Sequence, residues 1–125
     1  MTKKNTSRLE NPALGDGLLL EYFDDRIASL TLNRPESRNS LSMAMLDGLA
    51  DAFGQLSDNP DVKVIILQAN GPVFCAGHDL KELTTTRSQT DKGQAFFSQT
   101  MTKCSAVMQA IIACPKPVIA ALQGT

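Results

Sequence analysis

The stretch GPVFCAGHDLKEL, residues 71–83, decides how this chain is read, because it joins an apolar run to a charged helix start through glycine. Ahead of it lies VIILQA, residues 64–69, and Asn70-Gly71-Pro72 marks the turn between the two. Cys75, Ala76 and Gly77 then precede His78, the only histidine of the chain. Two readings compete for the stretch. Either the His78 imidazole carries the chemistry, or the backbone around it does and the side chain is incidental.

Working outward, the segment from Val62 to Ala69 is too uniformly apolar for a half-exposed strand and too short for a helix. It reads as a strand covered on both faces, the mark of a sheet layered with helices. Upstream, LLLEYF and RIASLTL are β-prone runs around Asp24-Asp25, which predicts a hairpin ending at Asn33-Arg34-Pro35-Glu36. Asn39 or Ser40 is the expected cap of a helix whose Leu46, Leu49, Phe53 and Leu56 recur at steps of three and four. Asp58-Asn59-Pro60 should stop it. Downstream, Asp79 is expected to cap the DLKEL helix, and TTTRSQT (residues 84–90) reads as a polar, mobile loop. Helical spacing returns over residues 93–114, where Phe97, Met101, Cys104, Met108 and Ile111 form a stripe expected to face the core. Pro115 and Pro117 end that helix and PVIAALQG starts another buried strand. The order β-β-α-β-motif-α-β predicts an α/β fold.

Composition bounds the rest. With 125 residues and 42% hydrophobic content, the chain suits one globular domain. Residues 1–16 are expected to be a flexible tail, and residues 17–125 the folded part. A net charge of −1 with scattered lysines and arginines argues against a nucleic-acid groove or a polybasic membrane patch. A few local cations would still hold an anionic small molecule. Cys75, Cys104 and Cys114 lack C-x-x-C spacing and read as reduced, core-facing thiols of an intracellular protein. One histidine among scattered cysteines is too little for a metal site. No G-x-G-x-x-G or G-x-x-x-x-G-K-[ST] supports nucleotide binding. Because the sequence stops just after an apolar strand, at Gly124-Thr125, it is expected to be the N-terminal portion of a longer, here incomplete domain.

The motif suits acyl-thioester chemistry. An enolate or tetrahedral oxyanion at a thioester oxygen needs donors fixed before reaction, and backbone N–H groups serve because the fold holds them and they never lose their proton. A strand running into Ala-Gly-x-Asp meets that need. Gly77 permits an unusual backbone angle, the next N–H is left unpaired, and Asp79 starts the helix. On this account His78 contributes its amide. Taken singly, each residue has an ordinary structural reading: a turn, an N-cap, a surface histidine, a solvated Lys81-Glu82 helix face.

The combination resembles the enoyl-CoA hydratase/isomerase, or crotonase, superfamily. LTLNRPESRNSL (residues 30–41), the DVKVIIL strand, GPVFCAGHDLKEL and CPKPVIAALQG (residues 114–124) occur in the family's order and spacing. Histidine at the x position is similar to the domain-containing protein 3 subgroup of these hydratases. The resemblance implies a spiral of β-β-α units binding acyl-CoA, assembled as a homotrimer or hexamer, with coenzyme A part of the substrate and no other cofactor. It implies that the His78 N–H is one oxyanion-hole donor and that the backbone around Ala76 meets the adenine. His78, Asp79 and Leu80, after the glycine, would then line the thioester channel, Gly77 would belong to the same substrate-binding segment, and Arg38 and Lys81 would lie near the phosphates. The second donor and the acid/base glutamates of the family fall beyond Thr125. Since one missing hole donor removes about 3 to 4 kcal/mol of transition-state stabilisation, the chain as given is expected to be inactive. The reaction implied for the full-length protein is addition of water to 2-enoyl-CoA. The alternatives are a non-catalytic acyl-CoA-binding or assembly subunit, or an isomerase or thioester hydrolase on the same scaffold. The expected location is the cytoplasm, with the mitochondrial matrix as the alternative.

Overall fold

The computed structural model describes residues 17–124, so the tail expected over residues 1–16 lies outside the described residues. Strands β1 (Leu19–Asp24) and β2 (Ile27–Leu32) form the predicted hairpin, with Asp24 opposite Ile27 and Asp25 in the left-handed region at φ 60°. Strand β3 (Val64–Ala69) and strand β4 (Val118–Ala120) add in parallel, giving one sheet in the order β1-β2-β3-β4. The architecture is mixed α/β, as the sequence implies.

Helix α1 (Met43–Asp58) crosses from β2 to β3 and buries Leu46, Leu49, Phe53 and Leu56 against the sheet. On β2 the apolar residues alternate up to Leu32, although Thr31 between them is buried as well. Ala28, Leu30 and Leu32 face this layer with Leu19 and Ile65, and together they form the core. The N-cap of α1 is Ser42, whose Oγ accepts from the Met45 N–H at 3.2 Å. The cap expected at Asn39 or Ser40 is therefore displaced, because both precede the parallel bridge at Leu41 and the helix starts only after it. Helix α1 ends at Asp58 as expected. Lys116 Nζ, from the segment leading into β4, donates to the Leu56 carbonyl at 2.6 Å and also to that of Asn59. That cation answers the unpaired carbonyls of a helix C-terminus.

Helix α2 (Leu80–Thr85) follows the motif and continues as a 3₁₀ turn over Thr86–Ser88, so the polar TTTRSQT stretch is largely helical rather than loop. Local bonds explain this: the Thr85 and Thr86 hydroxyls donate back to the Lys81 and Leu83 carbonyls. Helix α3 (Gln94–Ala113) packs on α1, with an ion pair of 2.5 Å from Lys103 to Asp47. Its expected core stripe is only partly inward. Thr100 and Val107 are the buried residues of α3, while Phe97 is 52% and Met108 42% exposed. Cys104 and Ile111 pack on the core from its edge. The inward face of the helix is therefore centred on Thr100 and Val107 rather than on the apolar stripe. Strand β3 is likewise not covered on both faces: Ile65 is buried and the rest of the strand only partly so.

Candidate oxyanion site

Two short segments build the site. Residues 34–41 form a 3₁₀ turn over Pro35–Ser37 followed by Arg38 and Asn39 in the left-handed region, at φ 56° and 53°. Residues 73–79 run beside them. The Ala76 N–H donates to the Arg38 carbonyl at 3.0 Å and the Leu41 N–H to the Gly77 carbonyl at 2.7 Å. Asn39 fixes the first segment from within. Fully buried, it accepts from the Arg34 N–H at 2.7 Å and donates to the Asn70 and Val73 carbonyls at 2.9 Å each. Asparagine suits the position twice, since its short amide tolerates positive φ and carries both donors and an acceptor.

The parallel bridge between Leu41 and His78 engages the Gly77 carbonyl and leaves the His78 N–H outside the pairing. No acceptor lies on that amide among the described residues. Gly77 sits at φ 93°, where a Cβ would meet nothing within 4 Å. The glycine is thus required by its backbone angle and not by close approach. Its own N–H rests on Cys75 Sγ at 3.5 Å. Asp79 behaves as predicted, capping α2 by accepting from the Glu82 N–H at 3.1 Å. Glu82 reaches the other way and accepts from the Met43 N–H at 3.0 Å, joining the motif's helix to the first turn of α1.

An open cavity of about 430 Å³ collects the sequence-derived residues Arg38, Ala76, His78, Asp79, Leu80 and Lys81 on its walls. Gly77 stands behind the wall. The same cavity is lined by Arg34, Glu36, Ser37 and Ser40, which sequence reasoning passed over. Their only signal is the density of polar groups in RPESRNS, which reads equally as a turn. Arg34 pairs loosely with Glu36 at 3.7 Å. Leu80 also borders a neighbouring cavity of about 570 Å³ with Leu83, Phe97 and Arg87. Two atoms of the first cavity's residues, Ser40 Oγ and His78 Nδ1, are buried without a hydrogen-bond partner. The end of β4 closes on the motif's turn: the Gln123 side chain donates to the Ala69 and Gly71 carbonyls at 2.8 Å each, and a Cβ on Gly124 would strike the Pro72 carbonyl.

Chemically, the arrangement offers an unpaired amide on a residue of a cavity that Arg38 and Lys81 also line, beside a second cavity lined by both apolar and charged side chains. Such a donor holds a developing oxyanion without changing its own protonation. Among the described residues no helix is long and apolar enough to cross a membrane, and no group of three side chains is placed to hold a metal ion.

Comparison with known proteins bears on family and fold. A family profile described as enoyl-CoA hydratase/isomerase matches residues 23–125. The human "Enoyl-CoA hydratase domain-containing protein 3, mitochondrial" is 43% identical over 100 residues, 80% of this chain and 31% of the relative. An Arabidopsis thaliana protein named "Delta(3,5)-Delta(2,4)-dienoyl-CoA isomerase, peroxisomal" is 36% identical over 113 residues, 86% of this chain and 41% of the relative. The crystal structure of an enoyl-CoA hydratase from Mycobacterium smegmatis superposes with a TM-score of 0.75 at 42% identity, covering 84% of this chain and 39% of that one. The chain spans about a third of the length of the first curated relatives it matches.

Proposed function

The chain belongs to the enoyl-CoA hydratase/isomerase family, and we propose on that premise that the full-length protein binds acyl-CoA thioesters and adds water to 2-enoyl-CoA. The thioester oxygen is held by the His78 N–H. The observation that supports this reading is the amide itself, which has no acceptor among the described residues although the Ala76 N–H and the Gly77 carbonyl just before it are bonded across to Arg38 and Leu41. Arg38 and Lys81 on the same cavity favour the phosphates of coenzyme A, and the exposed Ala76 leaves backbone open to the adenine. The acyl chain is proposed to run from Leu80 toward Leu83 and Phe97, the apolar residues of a cavity that Arg87, Asp91 and Lys92 also line. Coenzyme A arrives as part of the substrate, and the reading calls on no other cofactor.

The second donor is proposed to come from the turn after β4. The bonds from Gln123 to Ala69 and Gly71 support that placement, since they bring this strand end to the motif. With one donor only, residues 1–125 alone should turn over little substrate. A second reading, isomerisation of an enoyl-CoA, is favoured by the printed name of the Arabidopsis relative. Both reactions pass through the same stabilised enolate and differ in which groups move protons. Assembly as a homotrimer or hexamer belongs to the same proposal. As for location, the printed names of the vertebrate relatives favour the mitochondrial matrix over the cytoplasm. The test is to incubate the full-length protein with crotonyl-CoA and follow loss of the enoyl absorbance. Absence of both turnover and thioester binding would remove the proposal.

A further inference from the structure

Helix α2 is six residues long and buries none of them, so packing alone does little to hold it. Among the described residues its hydrogen bonds stay within residues 79–88, with one exception. That exception is Glu82, whose Oε1 accepts from the Met43 N–H at 3.0 Å. Met43 is the first residue of α1 after its Ser42 cap, where backbone N–H groups lack partners within the helix and attract a carboxylate. The segment carrying the His78 amide is thus tied to the start of α1 on both sides, by Gly77 to Leu41 at 2.7 Å and by Glu82 to Met43. The spacing Asp79-x-x-Glu82 is that of a capping box, in which the second acid returns to the amide of the first residue. Only half of the box is made. Asp79 accepts from the Glu82 N–H at 3.1 Å, but Glu82 goes to α1, and the Asp79 N–H has no acceptor among the described residues. A closed box would set a carboxylate on the amide next to the His78 N–H, against the negative charge that an oxyanion develops there.

We propose that Glu82 is a positioning residue of the oxyanion site. Its bond to Met43 fixes α2, and with it the His78 amide, and the same bond keeps the Glu82 charge off the adjacent Asp79 amide. Glu82 is not among the residues lining the 430 Å³ cavity, so it acts through the backbone rather than on the ligand. The inference rests on the acyl-CoA reading above, and deepens it by naming what holds the donor in place.

The test uses the full-length protein and two readouts: kcat with crotonyl-CoA, and the absorbance band of bound 4-dimethylaminocinnamoyl-CoA at saturation. That band moves to the red as hydrogen-bond donors polarise the thioester carbonyl, and a loss of fold stability alone does not move it in a saturated, folded complex. Glu82→Ala removes the acceptor. Met43→Pro removes the donor at the helix position where proline is favoured, behind a Ser42 backbone (φ −72°, ψ 167°) that accepts a following proline. Glu82→Ala should withdraw much of the red shift and lower kcat about tenfold, less than the roughly hundredfold of a 1 Å misplacement. Met43→Pro should do more, since it also frees the carboxylate to close the box, and adding Glu82→Ala to it should bring the loss back to that of Glu82→Ala alone. Glu82→Gln, which keeps an acceptor of the same reach, should retain most of both readouts. Losses that multiply in the double variant, a band unmoved by either single variant, or glutamine as low as alanine overturns the proposal. Failure of the unmodified protein to bind the probe, or to shift its band, would instead remove the thioester reading beneath it.

Discussion

Asn39→Ala is the perturbation whose size can be worked most directly from the structure. The side chain is fully buried and makes three hydrogen bonds, to the Arg34 N–H and to the Asn70 and Val73 carbonyls. Each of those backbone groups would lose its partner, at about 1 kcal/mol apiece. Alanine at φ 53° adds about 1 kcal/mol of backbone strain that asparagine largely escapes. The sum, about 4 kcal/mol, is a large part of the 5 to 15 kcal/mol that typically holds a domain folded. Urea unfolding of the full-length protein and the variant, followed by circular dichroism, should show the midpoint fall with little change in slope. Asn39→Gly separates the two causes. It loses the same three bonds but none of the left-handed strain, so it should be milder than alanine. A loss under about 1 kcal/mol for Asn39→Ala would refute the claim that this side chain holds the segment. Glycine as harmful as alanine would refute the strain component alone.

The other predictions follow from single observations. Gly77→Val should lower turnover of crotonyl-CoA by far more than His78→Ala, since valine cannot hold φ 93° whereas alanine keeps the amide; equal losses would mean that the imidazole takes part in the step. Lys116→Met should destabilise the fold by about 1 to 3 kcal/mol in urea, because the Leu56 and Asn59 carbonyls lose a charged donor; an unchanged midpoint would show that water replaces it. Asp91 accepts from the Ala95 and Gly93 N–H groups at the start of α3, which holds its carboxyl below the ordinary 3.8. Its contribution to stability is therefore complete above about pH 3.8 and lost as pH falls through the lower folded value. An NMR titration should find the Asp91 midpoint below 3.8, and a midpoint at or above it would sink the assignment.

Much of this was legible because it depends on short periods. The hairpin, α1 with Leu46, Leu49, Phe53 and Leu56, and β3 each carry their signal in local apolar spacing. The Asp79 cap was legible for the same reason, being a bond across three residues. What escaped needed tertiary knowledge. Residue spacing says that α3 has an apolar stripe but not which part of it meets α1, so Phe97 and Met108, inward by spacing alone, stand exposed. The start of α1 was misplaced because Asn39 and Ser40 are as good caps as Ser42, and only the Leu41 bridge decides between them. Arg34, Glu36 and Ser40 came to the cavity through a left-handed pair at Arg38-Asn39 that no pattern announces. Arg38 and Lys81 were found by resemblance to a family, since two surface cations carry no signal of their own.

An amide is a sound choice of donor here only if its position is held from both sides, and the bonds that do so have a second effect. The Ala76 N–H is tied to the Arg38 carbonyl, and the Gly77 carbonyl to the Leu41 N–H. The residue proposed to meet the phosphates and the residue proposed to hold the thioester oxygen thus sit on two segments that these bonds join. A shift of the 38–41 segment therefore moves the cation and the donor together, and distances of about 1 Å matter at a reacting centre. Substrate binding and transition-state binding should not be separable by changes in this segment. Variants such as Asn39→Gly, which touch no ligand, should raise KM and lower kcat together, whereas removing the Lys81 charge, outside the pairing, should act mainly on KM.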